Sequence, residues 1–225
     1  MTPKQVIATI ASTCQDLYGA GLVTFFNSPW EVTSGERSIV TYPIPPGSTT
    51  HAHPFGSLEQ YLAWVRNGEF TCLLFDYSLI RVSFECAGNA ILGHNLLYWP
   101  CPIEFEDRLD DLADLAAGIE ICLESPAKAA GTCALTLRTP MRFDFDPDRE
   151  GEDHPLVHLH TQFEDTRIHV HKPLCFPAFI KTIFRTFYRD KWSQHACIGQ
   201  FHEQAITHEP GEWEPAANCL QMSWA

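Results

Sequence analysis

The stretch His154-Pro-Leu-Val-His-Leu-His-Thr-Gln-Phe-Glu-Asp-Thr-Arg-Ile-His-Val-His171 decides how the middle of this chain folds. Apolar and polar side chains alternate on both sides of a polar centre, which is typical of a β-hairpin, because successive side chains of a strand point to opposite faces. Two histidine pairs, His158/His160 and His169/His171, therefore each share one face of their own strand.

The turn of this hairpin sets its register. A two-residue turn at Glu164-Asp165 pairs His158 with His171 and His160 with His169, which places all four imidazoles on one face. A four-residue loop keeps this register, whereas a three-residue loop shifts it by one residue and separates the pairs. Opposed side chains start about 5 Å apart at Cβ and can converge on one ion. The four histidines are therefore candidate ligands of a divalent metal, zinc or manganese.

The segment before the hairpin supplies charged side chains. In a strand, Arg142, Asp144 and Asp146 share one face, and the two phenylalanines between them share the other. Carboxylate and imidazole together bind zinc, manganese or iron. Two structural alternatives stay open: the histidines line the wet face of a sheet beside these carboxylates, and Arg142 forms a structural bidentate pair with Asp144.

Composition limits the class of protein. The chain has 225 residues, of which 45% are hydrophobic and 19% charged, which favours one folded domain over 1–225. A net charge of -13 disfavours binding of the whole surface to nucleic acid or an anionic membrane. No apolar run approaches the roughly 20 residues of a membrane span, so we expect a cytoplasmic protein. The nine cysteines are scattered, which favours reduced, buried thiols.

The order of predicted elements indicates an α+β fold, with a largely antiparallel sheet and helices packed on one face. Strands are predicted at 70–75, 78–86, 90–99, 134–145, 197–207 and 218–224, besides the histidine hairpin. Helices are predicted near the start of the chain, after Ser57, over 107–124 and from Pro177 onward. The second face of the sheet must then be wet or bound to a ligand or partner.

Two further clusters have a functional and a structural interpretation. Lys181, Arg185 and Arg189 recur every four residues, as a dock for a phosphate-bearing ligand or as a solvated helix face. His51 and His53 either complete a metal site or are exposed in a loop. No G-x-S-x-G elbow and no phosphate-cradling glycine motif occurs, which disfavours a serine nucleophile and a Rossmann or P-loop nucleotide site.

A series of short motifs lies between residues 50 and 190. They are His53-Pro with Tyr61-Leu62, Leu73–Ile80, Tyr98–Pro102, Pro140–Asp146, His154–Leu159, Arg167-Ile168, and Phe179 to Tyr188. As a series, these motifs resemble a bacterial family, the domain of unknown function 2290. The resemblance implies no known activity.

The resemblance does imply a site. The family pattern of R-x-D-x-D, then H-P-x-x-H-L, then Arg-Ile maps onto Arg142, Asp144, Asp146, His154, His158 and Arg167. Family members carry other residue types at positions 160 and 169. The resemblance therefore favours a smaller catalytic or binding site of Arg142, Asp144, His158 and Arg167 over the four-histidine cage.

Two functions are compatible with these observations. The one we favour from sequence is a non-catalytic binding or assembly subunit of a bacterial multi-protein system, such as a phage-defence module, with a protein partner or a second copy on its wet sheet face. The alternative is a metal-dependent hydrolase of a phosphodiester or nucleotide, in which Arg142 or Arg167 stabilises anionic charge.

Overall fold

The computed structural model describes residues 1–44, 56–106, 109, 111–124, 133–136, 138–151, 154–161, 163–206 and 221–222. The predictions for His51 and His53 therefore lie outside the described residues. Helices span α1 (Pro3–Gly19), α2 (Leu58–Asn67), α3 (Leu112–Glu124), α4 (Phe176–Phe187), α5 (Arg189–Gln194) and α6 (Ala196–Gln200). Strands span β1 (Val23–Phe26), β2 (Trp30–Ser34), β3 (Arg37–Thr41), β4 (Cys72–Leu74), β5 (Leu79–Ala87), β6 (Ala90–Trp99), β7 (Ile103–Phe105), β8 (Cys133–Leu135), β9 (Met141–Phe145), β10 (Val157–Thr161), β11 (Phe163–Val170) and β12 (Gln221–Met222).

One large sheet holds nearly all of these strands. Its order is β1-β4-β5-β6-β9-β10-β11-β12, and β3 pairs with β5 and carries β2 on its other side. The pairs are antiparallel except for β11 and β12, which run parallel. Strands β7 and β8 form a separate two-stranded ladder. The predicted α+β class with a largely antiparallel sheet is confirmed.

The two faces of the large sheet differ in chemistry. One face carries Val82, Phe84, Leu96, Phe143 and Leu159, which form a core cluster together with apolar residues of α1 and α4. We call it the helix-covered face. The opposite face is apolar at the end nearest Leu79 and Trp99, where α2 and α3 supply a second core cluster. The remainder of this face is polar, and we call it the site face.

Local sequence signals explain where the helices begin and end. Thr2 caps α1 through a complete capping box with Gln5. Ser57 accepts a hydrogen bond from the backbone N–H of Gln60 at the start of α2, and Gly68 ends that helix in the left-handed conformation, at φ 68°. The helix predicted after Ser57 is thus confirmed.

Two strand predictions need correction, and a third lies mostly outside the described residues. The strand predicted at 134–145 is split into β8 and β9, because Pro140 lies between them and β8 pairs with β7 instead. Residues 196–200 are helical where a strand over 197–207 was predicted, since helix α6 packs its apolar Ile198 into the core. Of 218–224, residues 221–222 form a strand and the others lie outside the described residues.

The prediction of reduced cysteines holds for most of the described thiols and is wrong at one. Six cysteines are free thiols: Cys14, Cys72, Cys86, Cys101, Cys175 and Cys197. Cys122 is in a disulfide bond. No helix among the described residues is long and apolar enough to cross a bilayer.

Gly93 provides a test of the close contact between β6 and β9. A Cβ added at Gly93 lies 2.9 Å from the carbonyl oxygen of Phe145, so one backbone must shift. We expect Gly93→Ala to lower the free energy of unfolding by about 1–3 kcal/mol in urea melts. Gly19→Ala is the matched control, because a Cβ there meets no atom within 4 Å. Equal effects of the two substitutions would contradict the contact.

His94 provides a test of pH dependence. It lies on the helix-covered face between the rings of Phe84 and Phe145, and its Nε2 accepts a hydrogen bond from the backbone N–H of Leu174 at 3.1 Å. Burial lowers the pKa of His94 from 6.5 to about 4. Because the unfolded chain binds this proton at higher pH than the folded one, stability falls as the pH falls from about 6.5 to about 4, by roughly 3 kcal/mol.

The measurement compares the unfolding free energies of the wild type and His94→Gln across that pH range. The variant should lose less stability on acidification, because one buried group that resists protonation is gone. His158 is affected in the same direction in both proteins, since burial also lowers its pKa to about 4. Identical pH slopes would show that His94 does not contribute.

Candidate functional site

A row of cross-strand neighbours crosses the site face. Consecutive pairs in this row join Ser83 to Asn95, Asn95 to Asp144, Asp144 to His158, and His158 to His169. Directly opposed residues of neighbouring strands point to the same face, so these polar side chains stand side by side. The neighbouring row brings Arg142 opposite His160. Strands β9 and β10 therefore carry the centre of the polar cluster.

Asp144 is the hub of this cluster. Its Oδ2 lies 2.9 Å from both Nε and Nη2 of Arg142, whose side chain is 2% exposed. The Nδ2 of Asn95 donates to its Oδ1 at 2.8 Å. Burial raises the pKa of Asp144, but the hydrogen bond from His160 and the charge of Arg142 outweigh burial, so the pKa lies well below its ordinary value. The carboxylate is therefore an anion at neutral pH.

Two histidines approach the same carboxylate oxygen. Nε2 of His160 lies 3.1 Å and Nε2 of His158 lies 3.8 Å from Oδ2 of Asp144. Nδ1 of His158 lies 2.6 Å from the carbonyl oxygen of Pro155. Since a carbonyl oxygen only accepts, Nδ1 of His158 carries the proton and Nε2 directs its lone pair toward the carboxylate. Such a hydrogen bond fixes the tautomer and orientation of metal-binding histidines.

Protonation states follow from the burial of these rings. Burial lowers the pKa of His158 to about 4, and the neighbouring Asp144 charge opposes this only in part. His158 is therefore a neutral imidazole at pH 7, which is the form that binds metals. Ligand atoms of Asp144, His158 and His160 all lie within 4.8 Å of one another, which makes these three side chains candidate ligands of one metal ion.

A cavity of about 450 Å³ opens above the cluster. Its lining includes Asn95, Arg142, Asp144, His154, His160 and Arg167. The ring of His154 touches that of His158, with centroids 4.5 Å apart. Glu85 and Asp148 also line this cavity, and both bond to Arg37, at 2.7 and 3.3 Å. Ion-paired residues therefore form part of the wall of the cavity that Asp144 and His160 line.

The predicted hairpin register is wrong. His158 pairs with His169, not with His171, and β11 already begins at Phe163. The chain therefore turns before Glu164-Asp165, and an irregularity lies between Leu159 and Thr161. The observed pairing is shifted by two residues from the predicted one, so His158 and His169 still share a face.

The consequence is a smaller cluster than the four-histidine cage. His171 follows the end of β11 and is exposed. His169 shares the row of His158, but the metal-type cluster among the described residues consists of Asp144, His158 and His160. Arg142, Asp144 and His158 of the smaller predicted site do lie together, with Arg167 on the cavity wall.

Asp146 and the predicted basic residues Lys181, Arg185 and Arg189 are not part of the cluster around Asp144. Asp146 follows β9 at the cavity rim, 3.7 Å from Nε of Arg149. Lys181 and Arg185 line a separate cavity of about 530 Å³, where Lys181 is paired with Glu203 at 2.8 Å. Arg189 begins α5 and is not among the residues of that lining. A phosphate-bearing ligand at these residues stays a prediction.

Sequence reasoning missed three contributors to the site. Asn95 was read as part of an apolar strand, although an amide inside the run Ile-Leu-Gly-His-Asn-Leu-Leu is itself a signal of a buried polar partner. His154 was assigned only through the family pattern. The carbonyl of Pro155 has no signal in sequence, because every residue carries one.

Arg142 provides the stability test of this site. Arg142→Met leaves the carboxylate of Asp144 buried without its guanidinium, so we expect the free energy of unfolding to fall by about 3–5 kcal/mol in urea melts. Arg149→Met is the control, because its ion pair with Asp146 is exposed and its loss should change stability by less than about 0.5 kcal/mol. Restoring neutrality with Arg142→Met plus Asp144→Leu should recover part of the loss; no recovery would contradict the pairing.

Comparison with known proteins identifies the family but not a function. Residues 22–219 match the model of the family described as Uncharacterized conserved protein (DUF2290). No curated protein matches the chain, and no solved structure does. Because the match covers the hub Asp144, both histidines and both strands that carry them, the chain belongs to the DUF2290 family of uncharacterized conserved proteins.

Proposed function

We propose that this protein is a metal-dependent hydrolase that acts on a phosphodiester or nucleotide, with zinc or manganese held by Asp144, His158 and His160. The observation that carries the proposal is the convergence of ligand atoms of these three side chains within 4.8 Å of one another, next to a cavity that Asp144 and His160 line. Two histidines and one carboxylate, with a further position left for water or substrate, are the ligand set of many catalytic zinc sites.

The distances support one shared ion. Ligand atoms that each lie about 2.1 Å from a metal are about 3.0 to 4.0 Å apart for ligand–metal–ligand angles between about 90° and 140°. The Nε2 atoms of His160 and His158 lie 3.1 and 3.8 Å from Oδ2 of Asp144, inside this range. To bind the metal through Nε2, a neutral His160 would carry its proton on Nδ1 instead of donating it from Nε2 to Asp144, which is a change of tautomer.

The groups around the ligands support their orientation. Pro155 holds His158 through Nδ1, and Asn95 holds Asp144 through Oδ1. Hydrogen bonds of this kind fix ligand geometry and tune the metal. They leave Oδ2 of Asp144 and Nε2 of His158 on the side where the three ligands converge.

Charge indicates the substrate class. A divalent ion on one carboxylate and two neutral imidazoles leaves one positive charge, and the guanidinium of Arg142 adds another. Arg167 lies on the wall of the same cavity. Glu85, Asp146 and Asp148 line the cavity too, so the positive charge is that of the metal and the neighbouring guanidinium groups. A positive centre of this kind favours an anionic group, and guanidinium groups bind phosphoryl oxygens well. When bound, the metal supplies an acidified water, and the arginines bind and orient the phosphoryl group.

The structural alternative is a buried network without metal. Arg142 and Asp144 form a tight ion pair on their own, which suits that interpretation. A metal-free network does not require two histidines near Oδ2 of Asp144, one of which, His158, has an unprotonated Nε2. We therefore prefer the metal site. Assembly and phage-defence roles stay predictions from the sequence.

Metal stoichiometry is the first test. Protein stripped with a chelator and reloaded with zinc or manganese should retain about one ion per chain by elemental analysis. The variant His158→Gln with His160→Gln should retain none, and its thermal melt should show that it folds. His171→Gln should retain the ion, because His171 lies outside the cluster; loss of metal in that variant would favour the four-histidine cage.

Hydrolysis is the second measurement on the same samples. The loaded wild type should release p-nitrophenol from bis(p-nitrophenyl) phosphate, and the double variant should show only background release. Arg167→Met should retain the metal but lose about 10-fold or more in kcat/KM, because a charge-assisted contact to the phosphoryl group is removed. A protein that binds one ion and hydrolyses no phosphodiester or nucleotide would overturn the hydrolase and leave the metal site.

A further inference from the structure

We propose that strand β2 is a dimerisation edge: it pairs antiparallel with β2 of a second copy of this chain, with the twofold axis at Val32. The proposal is independent of the hydrolase. It concerns the edge of the large sheet farthest from β12, where β2 pairs with β3 on one side and no described strand lies on the other. The unpaired N–H and C=O groups along such an edge form a template for another strand.

Strand β2 lacks the features that normally protect an edge. All five of its residues are exposed. Its register against β3 runs without a bulge from Trp30 to Ser34. It contains no proline and no lysine, which are common protections of edge strands. At the neighbouring edge, β1 has a register shift between Val23 and Phe25. Of these two edge strands, only β2 is therefore both regular and unprotected.

The side chains of β2 are complementary to themselves. Pairing about Val32 places Val32 opposite its own copy, Trp30 opposite Ser34, and Glu31 opposite Thr33. Trp30 is 58% and Val32 43% exposed, and both stand on the site face because Trp30 pairs with Thr41 and Thr41 with Ser83. The two tryptophans therefore flank the central valine pair and cover it, which removes apolar surface from water on both copies.

Charge is compatible with a second copy in this register. Glu31 is the only charged side chain of β2, and it faces the hydroxyl of Thr33 instead of a second carboxylate. Like charges directly opposite each other destabilise a strand pair, and this register has none. The net charge of -13 on each chain opposes association at long range, so we expect the dimer to strengthen as salt screens that repulsion.

The dimer would place both candidate sites on one surface. A twofold axis perpendicular to the joined sheet keeps the site faces of the two copies on the same side. Strand β9 lies four strands in from β2, through β3, β5 and β6. Nine strand spacings then separate the two copies of Asp144, which is roughly 43 Å at about 4.8 Å each. Two equivalent cavities at that separation suit an extended or repeating substrate.

The first test is the oligomeric state of the full chain by sedimentation velocity, up to about 100 µM. We expect a concentration-dependent dimer for the wild type. Val32→Lys should raise the dissociation constant at least about 10-fold, because two ammonium groups then face each other at the axis. Ile121→Lys is the matched control, since Ile121 is a 51% exposed apolar residue on α3, and it should leave the dimer unchanged.

Cross-linking tests the register. Val32→Cys should form an intermolecular disulfide in the presence of oxidised glutathione, because opposed Cβ atoms at the axis lie about 4.5–5.5 Å apart. Leu135→Cys, at a 66% exposed position, should not. A wild type that stays monomeric, or a dimer that Val32→Lys leaves intact, overturns the proposal; a weakened Val32→Lys dimer together with the Val32→Cys cross-link supports it.

Discussion

The buried ion pair between Arg142 and Asp144 is the constraint on which the site face depends. Both residues lie in β9, which pairs with β6 on one side and β10 on the other. A carboxylate in that position needs neighbours that donate hydrogen bonds to it and balance its charge. The amide of Asn95 and the ring of His160 meet this requirement from the two flanking strands. The register of three strands is therefore tied to one side chain.

Much of the fold followed from local signals in the sequence. The caps at Thr2 and Ser57 and the left-handed Gly68 are short-range chemistry, and the β5–β6 meander has a simple alternating pattern, so both were predictable. The hairpin register was not, because it depends on where the chain turns between β10 and β11 and on a register shift between Leu159 and Thr161 that no residue type announces. The observed pairing differs from the predicted one by two residues, so His158 and His169 still share a row, while His171 lies beyond the end of β11.

The residues of the site were predictable in part, namely where they follow the side-chain period of a strand. Arg142, Asp144 and His158 occur at alternating positions of recognisable strands, so their shared face follows from the period of two. Asn95 and the carbonyl of Pro155 act across strands or through the backbone, and a linear sequence does not carry those distances. Only the folded structure shows that Nδ1 of His158 hydrogen-bonds to the carbonyl of Pro155, while Nε2 lies near the carboxylate of Asp144.

The energetics of buried charge argue that the cluster is kept for something other than stability. An apolar replacement of a buried ion pair is often neutral or stabilising, so selection for stability alone would favour the phenylalanines that occupy the opposite face of β9. Phe143 and Phe145 show that this strand packs well with such residues. Asp144 instead lies next to His158 and His160 and lines an open cavity. Strand β9 is apolar on one face and ionic on the other. We infer that its ionic face is retained because of what the cavity binds.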